Sequence, residues 1–263
     1  IIITNPDMIH MGFLPYHAGW SELFSKLRYI VIDEIHTYRG ILGSHLVQVL
    51  RRLRRVCQFY GSDPLFIACS ATISNPAKLA EALTEKSFHD ICESGAPHPG
   101  GHFVFYNPAV SPYTESARLF RQCIHAGLKT IAFTKARKIT ELLHRWVVRS
   151  EPNLSDRISS YRSGFLPEER REIEKKLFSG ELQGVISTSA LEMGIDVGGL
   201  DACLLVGYPG TISATWQRGG RVGRSGAESL IILMAQPNAL DQYFMHNPQD
   251  LFARPPEEAI VDP

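Results

Sequence analysis

Short apolar runs recur along the chain, each closed by small, polar or acidic residues. The runs at 1–3, 28–32, 65–69 and 88–91 alternate with stretches of helical spacing, which predicts a parallel sheet flanked by helices. Tyr29-Ile30-Val31-Ile32 is continuously apolar rather than alternating, the pattern of a parallel strand buried on both faces. After Gly43, Leu46, Val49, Leu50, Leu53, Val56 and Cys57 recur every three or four residues and give a helix one apolar face. Arg51, Arg52, Arg54 and Arg55 occupy the rest of that helix and read as a solvated surface.

The stretch Gly95-Ala96-Pro97-His98-Pro99-Gly100-Gly101 interrupts the pattern. It predicts a first domain over 1–95, a linker over 96–101 and a second domain over 102–246. The second alternation starts at Phe103-Val104-Phe105-Tyr106 and continues in strands near 130–133, 158–161, 184–187, 202–206 and 229–233. Pro167–Phe178 reads as a charged helix whose acidic start and basic end suit its dipole. Residues 247–263 read as the start of a truncated extension ending in a loop. The fold class expected is α/β, with two parallel-sheet domains in tandem and the first incomplete.

Composition narrows the class without choosing a ligand. The 44% hydrophobic and 21% charged fractions are those of a soluble globular protein. No run approaches the roughly 20 apolar residues of a membrane span, so no membrane partner is expected. Lys+Arg and Asp+Glu are equal at 27 each, so any nucleic-acid affinity must come from local charge along a groove. Five scattered cysteines without Cys-x-x-Cys spacing read as reduced thiols, consistent with a cytoplasmic setting. Of these, Cys69 and Cys203 are expected as buried small hydrophobes. His89, Cys92, His98 and His102 form a loose group, but their Pro- and Gly-rich surroundings favour a linker over a metal site.

Two segments carry the chemistry. Asp33 and Glu34 end the strand at 29–32, and the C-terminal edge of a parallel sheet is where ligands sit. One such carboxylate can hold a hydrated metal while its neighbour activates water. Far downstream, Gln217-Arg218-Gly219-Gly220-Arg221-Val222-Gly223-Arg224 places three arginines on a glycine-rich loop. Their planar forks match phosphate oxygens. Taken singly, the first could be a capped strand end and the second a solvated loop. Ser70-Ala71-Thr72 closes the run at 65–69, followed by Asn75-Pro76, a capping residue before a helix-starting proline. Trp216 is read as packing its own helix rather than stacking on a base.

Together these segments resemble, in order, the motifs of superfamily 2 DEAD/DEAH-box helicases, which implies two RecA-like domains with ATP between them. In Asp33-Glu34-Ile35-His36 the resemblance makes Asp33 the Mg ligand, Glu34 the base and His36 a link to other motifs. Ser70, Ala71 and Thr72 then couple the nucleotide site to strand movement. Thr4 and Asn5, Lys135 in Thr130–Arg137, and Thr188 in Ser187–Asp196 become nucleic-acid contacts. Gly194, Asp196, Gln217 and Gly220 lie near the nucleotide, while Arg221 and Arg224 reach its triphosphate, with Arg224 as the arginine finger.

Thr-Asn-Pro-Asp-Met, Asp-Glu-Ile-His-Thr-Tyr-Arg-Gly and Gly-Tyr-Pro-Gly-Thr further resemble the YprA-like, mitomycin repair factor A type, subgroup. That resemblance implies ATP-driven 3′-to-5′ movement on single-stranded DNA in repair, although backbone-gripping motifs leave RNA open. No Gly-x-x-x-x-Gly-Lys-Ser/Thr phosphate loop occurs in the chain, so a partial sequence is expected, with hydrolysis belonging to a longer parent. Two other readings remain: a passive nucleic-acid-binding platform, and a duplex translocase that does not separate strands.

Overall fold

The computed structural model describes residues 1–93, 95, 100–192, 199–223 and 228–262. They fall into two compact units, Ile1–Ser94 with Pro256–Pro263, and Gly95–Pro255.

In the first unit, short helices α1 (Pro6–Met8) and α2 (Ser21–Lys26) precede strand β1 (Tyr29–Ile32). The long helix α3 (Gly40–Phe59) leads to β2 (Leu65–Ala68), and α4 (Pro76–Thr84) follows. The two strands pair in parallel, with Tyr29 opposite Leu65 and Ile32 opposite Ala68. Side chains alternate across a strand, so Ile32 and Phe66 enter a core with Leu46, Leu50 and Leu53 of α3 and Leu79 and Leu83 of α4. The spacing after Gly43 thus gives the buried face it predicts. The arginines opposite are less solvated than expected: Arg51 and Arg54 both pair with Glu85, at 2.8 and 3.1 Å, and tie α3 to the end of α4.

Two predicted strands are absent. Residues 1–3 are exposed and unpaired in any ladder. Over 88–91 the Phe88 amide donates to the Glu81 side chain at 3.2 Å instead of to a strand. A strand needs an adjacent edge as well as apolar residues, and neither segment has one among the described residues.

The second unit is a six-stranded, all-parallel sheet in the order β3-β8-β7-β4-β6-β5. Its strands are β3 (Gly101–Tyr106), β4 (Thr130–Phe133), β5 (Ile158–Tyr161), β6 (Gly184–Ser187), β7 (Ala202–Val206) and β8 (Ser229–Met234). Helices α5 (Pro112–His125) and α6 (Arg137–Ser150) pack Phe120, Ile124, Leu143 and Val147 on one face, against Ala132, Ile186 and Leu204. On the other face lie α7 (Pro167–Ser179), α8 (Ile212–Gly219), α9 (Ala239–His246) and α10 (Gln249–Ala253). They bring Leu177, Ile212, Phe244 and Leu251 against Ile131, Val185, Cys203 and Leu233. Trp216 of α8 packs edge-on to Phe103, in keeping with its structural reading. After α10 the chain joins the first unit, where Ala259 and Val261 are buried in its core.

Candidate functional site

Each unit presents expected site residues at the C-terminal ends of its strands. In the first, the ladder continues past β1 and β2: Cys69 N donates to Ile32 O at 2.9 Å, and Ile35 N to Cys69 O at 3.0 Å. Asp33 is exposed at this edge and accepts the Glu34 amide at 2.9 Å. Glu34 has φ of 50°, in the left-handed region that non-glycine residues enter at a cost of about 1–2 kcal/mol. Its carbonyl accepts from Thr37 N and Oγ1, at 3.0 and 2.8 Å, which holds the bend.

The bend drives Ile35 into the core and carries His36 beneath the loop after β2. There the Ala71 amide donates to His36 Nδ1 at 3.2 Å, and the Glu34 carboxylate lies 3.4 Å from the same nitrogen. Asp33, Glu34, His36, Ser70, Ala71 and Thr72 are thereby gathered on the ends of two paired strands. Burial, with help from Asp33 and Asp7, pushes the nearby Tyr38 hydroxyl pKa up. No cluster of three metal-ligating side chains occurs among the described residues. A cation at Asp33 would therefore draw most of its ligands from water and phosphate oxygens, the arrangement Mg favours.

Cys69 proves exposed, against expectation, because it stands where β2 leaves the core. Asn75 occupies the N-cap position of α4, but its side chain makes no capping bond. Its amide instead grips the backbone of Ala259. Thr4 and Asn5 are exposed, and Asn5 Oδ1 caps α1 through Met8 N at 2.8 Å.

In the second unit, Lys135 follows β4 and Thr188 follows the neighbouring β6. Thr188 Oγ1 accepts Ala190 N at 3.4 Å, and the Lys135 ammonium stands 3.8 Å from the buried carboxylate of Asp241. Asp241 also accepts the amides of Tyr208 and Gln236, at 3.0 and 2.8 Å. Gln217 bonds Ser213 at 3.4 Å within α8, and Gly220 N closes that helix on Trp216 O at 2.7 Å.

The arginine segment is anchored by a pair that sequence reading passed over. Arg218 Nε donates to Glu192 Oε2 at 2.8 Å, with side chains only 10% and 13% exposed, and the Arg221 guanidinium donates to the Glu192 carbonyl. The segment after β6 and the arginine segment that begins in the last turn of α8 therefore meet at Glu192. A glutamate embedded between apolar and small residues was the available sequence signal. Gly194, Asp196, Arg224 and His98 lie outside the described residues.

Among the described residues no helix is long and apolar enough to cross a membrane. Residues 1–79 match the DEAD/DEAH box helicase family, and residues 115–226 match the helicase conserved C-terminal domain. The chain is 46% identical over 275 residues to YprA of Bacillus subtilis, described as an uncharacterized ATP-dependent helicase, covering all of this chain and 37% of that protein. It is 38% identical over 268 residues to the ATP-dependent helicase HRQ1 of Saccharomyces cerevisiae, covering 95% of this chain and 25% of HRQ1. The crystal structure of the DUF1998 helicase MrfA bound to DNA and AMPPNP superposes with a TM-score of 0.95 at 46% identity, over all of this chain and 38% of MrfA. The chain thus spans well under half the length of these relatives.

Proposed function

Because the chain belongs to the YprA-like group of superfamily 2 DEAD/DEAH-box helicases, we propose that it supplies the hydrolytic and strand-gripping elements of an ATP-dependent DNA helicase. The observation that carries the proposal is the edge of the first unit. An exposed Asp33 and a bent Glu34 stand at one strand end, and His36 bonds them to Ser70-Ala71-Thr72 at the next.

Asp33 would hold Mg through water, and Glu34 would orient or deprotonate the attacking water. Bound Mg-ATP would supply the phosphoryl bond whose cleavage drives movement. Gln217, Gly220, Gly194 and Asp196 would contact the nucleotide, while Arg221 and Arg224 would neutralise charge on the transferring phosphoryl group. Thr4, Asn5, Lys135 and Thr188 would grip a single DNA strand by its backbone. The phosphate loop would come from residues of a longer protein, as the greater length of the relatives supports.

Glu34→Gln in the complete protein tests this reading. Losing a general base lowers turnover by about 10²–10⁴-fold, so DNA-stimulated ATP hydrolysis should fall by that factor while DNA affinity stays within about 3-fold. Hydrolysis persisting at the parental rate would remove Glu34 from the chemistry. The subgroup resemblance extends the proposal to 3′-to-5′ movement in DNA repair. Unwinding of 3′-tailed but not 5′-tailed duplex checks the polarity, and no strand displacement from either would favour a translocase.

A further inference from the structure

Residues 259–261 follow the second unit in sequence, yet they are built into the first. Ala259 and Val261 are buried at 4% and 9% exposure, with Ile260 between them turned outward, the alternation of an extended strap. Three backbone groups of this strap are claimed by two different loops. Asn75 Nδ2 donates to Ala259 O, and Asn75 Oδ1 accepts Ala259 N, both at 2.9 Å. Gly40 N donates to Ile260 O at 2.8 Å. Asn75 ends the loop that carries Ser70-Ala71-Thr72, and Gly40 ends the loop that carries Asp33-Glu34-Ile35-His36.

The strap also fixes where α3 begins. A Cβ on Gly43 would lie 2.6 Å from a Val261 methyl and 2.5 Å from the Tyr38 carbonyl, so only glycine permits this approach. The asparagine is committed in the same sense. It sits where a cap is expected, and its amide satisfies both polar groups of a buried strap residue instead.

We infer that Ala259–Val261 is a staple that holds the acidic loop and the Ser-Ala-Thr loop in register, and that Asn75 is a positioning residue for Asp33 and Glu34. The staple acts in parallel with the direct His36–Ala71 bond. Two paths then fix the spacing between the loops, one inside the motifs and one supplied by a segment some 184 residues further along the chain. This inference rests on the reading of Asp33 and Glu34 as the hydrolytic pair.

The test uses the complete protein with Asn75→Ala, which removes both clamp bonds without deleting a helix cap, and Val261→Ala, which loosens the strap without touching Asn75. Amide hydrogen exchange is followed at 33–39, 70–75 and 258–261, alongside ATP kinetics. Loss of two part-buried hydrogen bonds is expected to accelerate exchange at all three segments by about 10-fold for Asn75→Ala and less for Val261→Ala. Because misplaced catalytic groups lower turnover rather than nucleotide affinity, kcat should fall about 10-fold with KM for ATP within about 2-fold. Faster exchange confined to 258–261 with kcat unchanged overturns the staple. A rise in KM alone would make Asn75 a nucleotide contact, which also overturns it. If the parent protein does not hydrolyse ATP, the helicase reading fails, and the staple is then decided by exchange at 33–39.

Discussion

The two sheets are built from the same kind of strand and finished differently. In the second unit, every residue of β4, β6 and β7 is buried, because helices cover both faces. In the first, the described helices cover only one. Tyr29, Val31, Leu65 and Ile67, paired across the other face, remain 59%, 62%, 62% and 42% exposed. A continuous apolar run is the mark of a strand designed for burial on both sides, and β1 carries that mark as clearly as β4 does. The run thus reports the environment a strand is made for. The bare face adjoins the strand ends that bear Asp33 and Ser70.

The largest contrast is electrostatic. The second unit contains the nearly buried Arg218–Glu192 pair, whereas the ion pairs at Glu85 in the first are substantially solvated. Removing one member of a buried pair leaves an uncompensated charge and costs about 3–5 kcal/mol. Glu192→Ala should therefore lower the urea stability of the second unit by about that amount. Hydrogen exchange should quicken over 202–223 and stay unchanged over 65–68. A loss below about 1 kcal/mol would place the pair in solvent, as surface pairs are.

A middle-sized contrast tests the bare face directly. Leu204 is fully buried, and Leu204→Ala should cost about 2–5 kcal/mol through lost transfer energy and the cavity left behind. Val31→Ala in this chain should cost no more than about 0.5 kcal/mol, the range of exposed positions. In a longer protein that covers the face, the same Val31→Ala should cost more than 1 kcal/mol. Equal costs for the two substitutions in this chain would break the comparison, since Val31 would then already be packed.

What was legible in the sequence follows from these differences. The strands expected near 130–133, 184–187 and 202–206 form there because central parallel strands are largely apolar and end sharply, and the edge strand at 158–161, Ile-Ser-Ser-Tyr, is marked instead by its buried ends Ile158 and Tyr161. The runs at 1–3 and 88–91 carried the same signal but found no pairing edge among the described residues. Asp33 and Glu34 were legible because a strand's end is written next to the strand. The left-handed bend at Glu34 was not, since only glycine announces that conformation in sequence. Glu192 with Arg218, 26 residues apart, and Asn75 with Ala259, 184 apart, were illegible because no periodicity links them. The neighbours of Asn75 fit a helix cap, and tertiary contact directs the same amide to Ala259 instead.

The smallest contrast concerns protons. Covering a second face places α6 over the sheet, and His144 on that helix is partly buried against the backbone near Ile158. Burial disfavours the imidazolium and pulls the His144 pKa below its ordinary 6.5, although the Ile158 backbone and Glu141 oppose the shift. A depressed folded-state pKa means that the unfolded chain takes up the proton first. The contribution of His144 to stability is therefore whole above about pH 6.5 and is lost as pH falls through the lower folded value. The urea midpoint of the second unit should decline between pH 7 and pH 5, and His144→Gln should flatten the part of that decline due to this group. If the variant and the parent fall in parallel, the imidazole is as solvated in the folded unit as in the unfolded chain, and the second face of this sheet is less tightly closed over α6 than its neighbouring contacts at Leu143 and Val147 require.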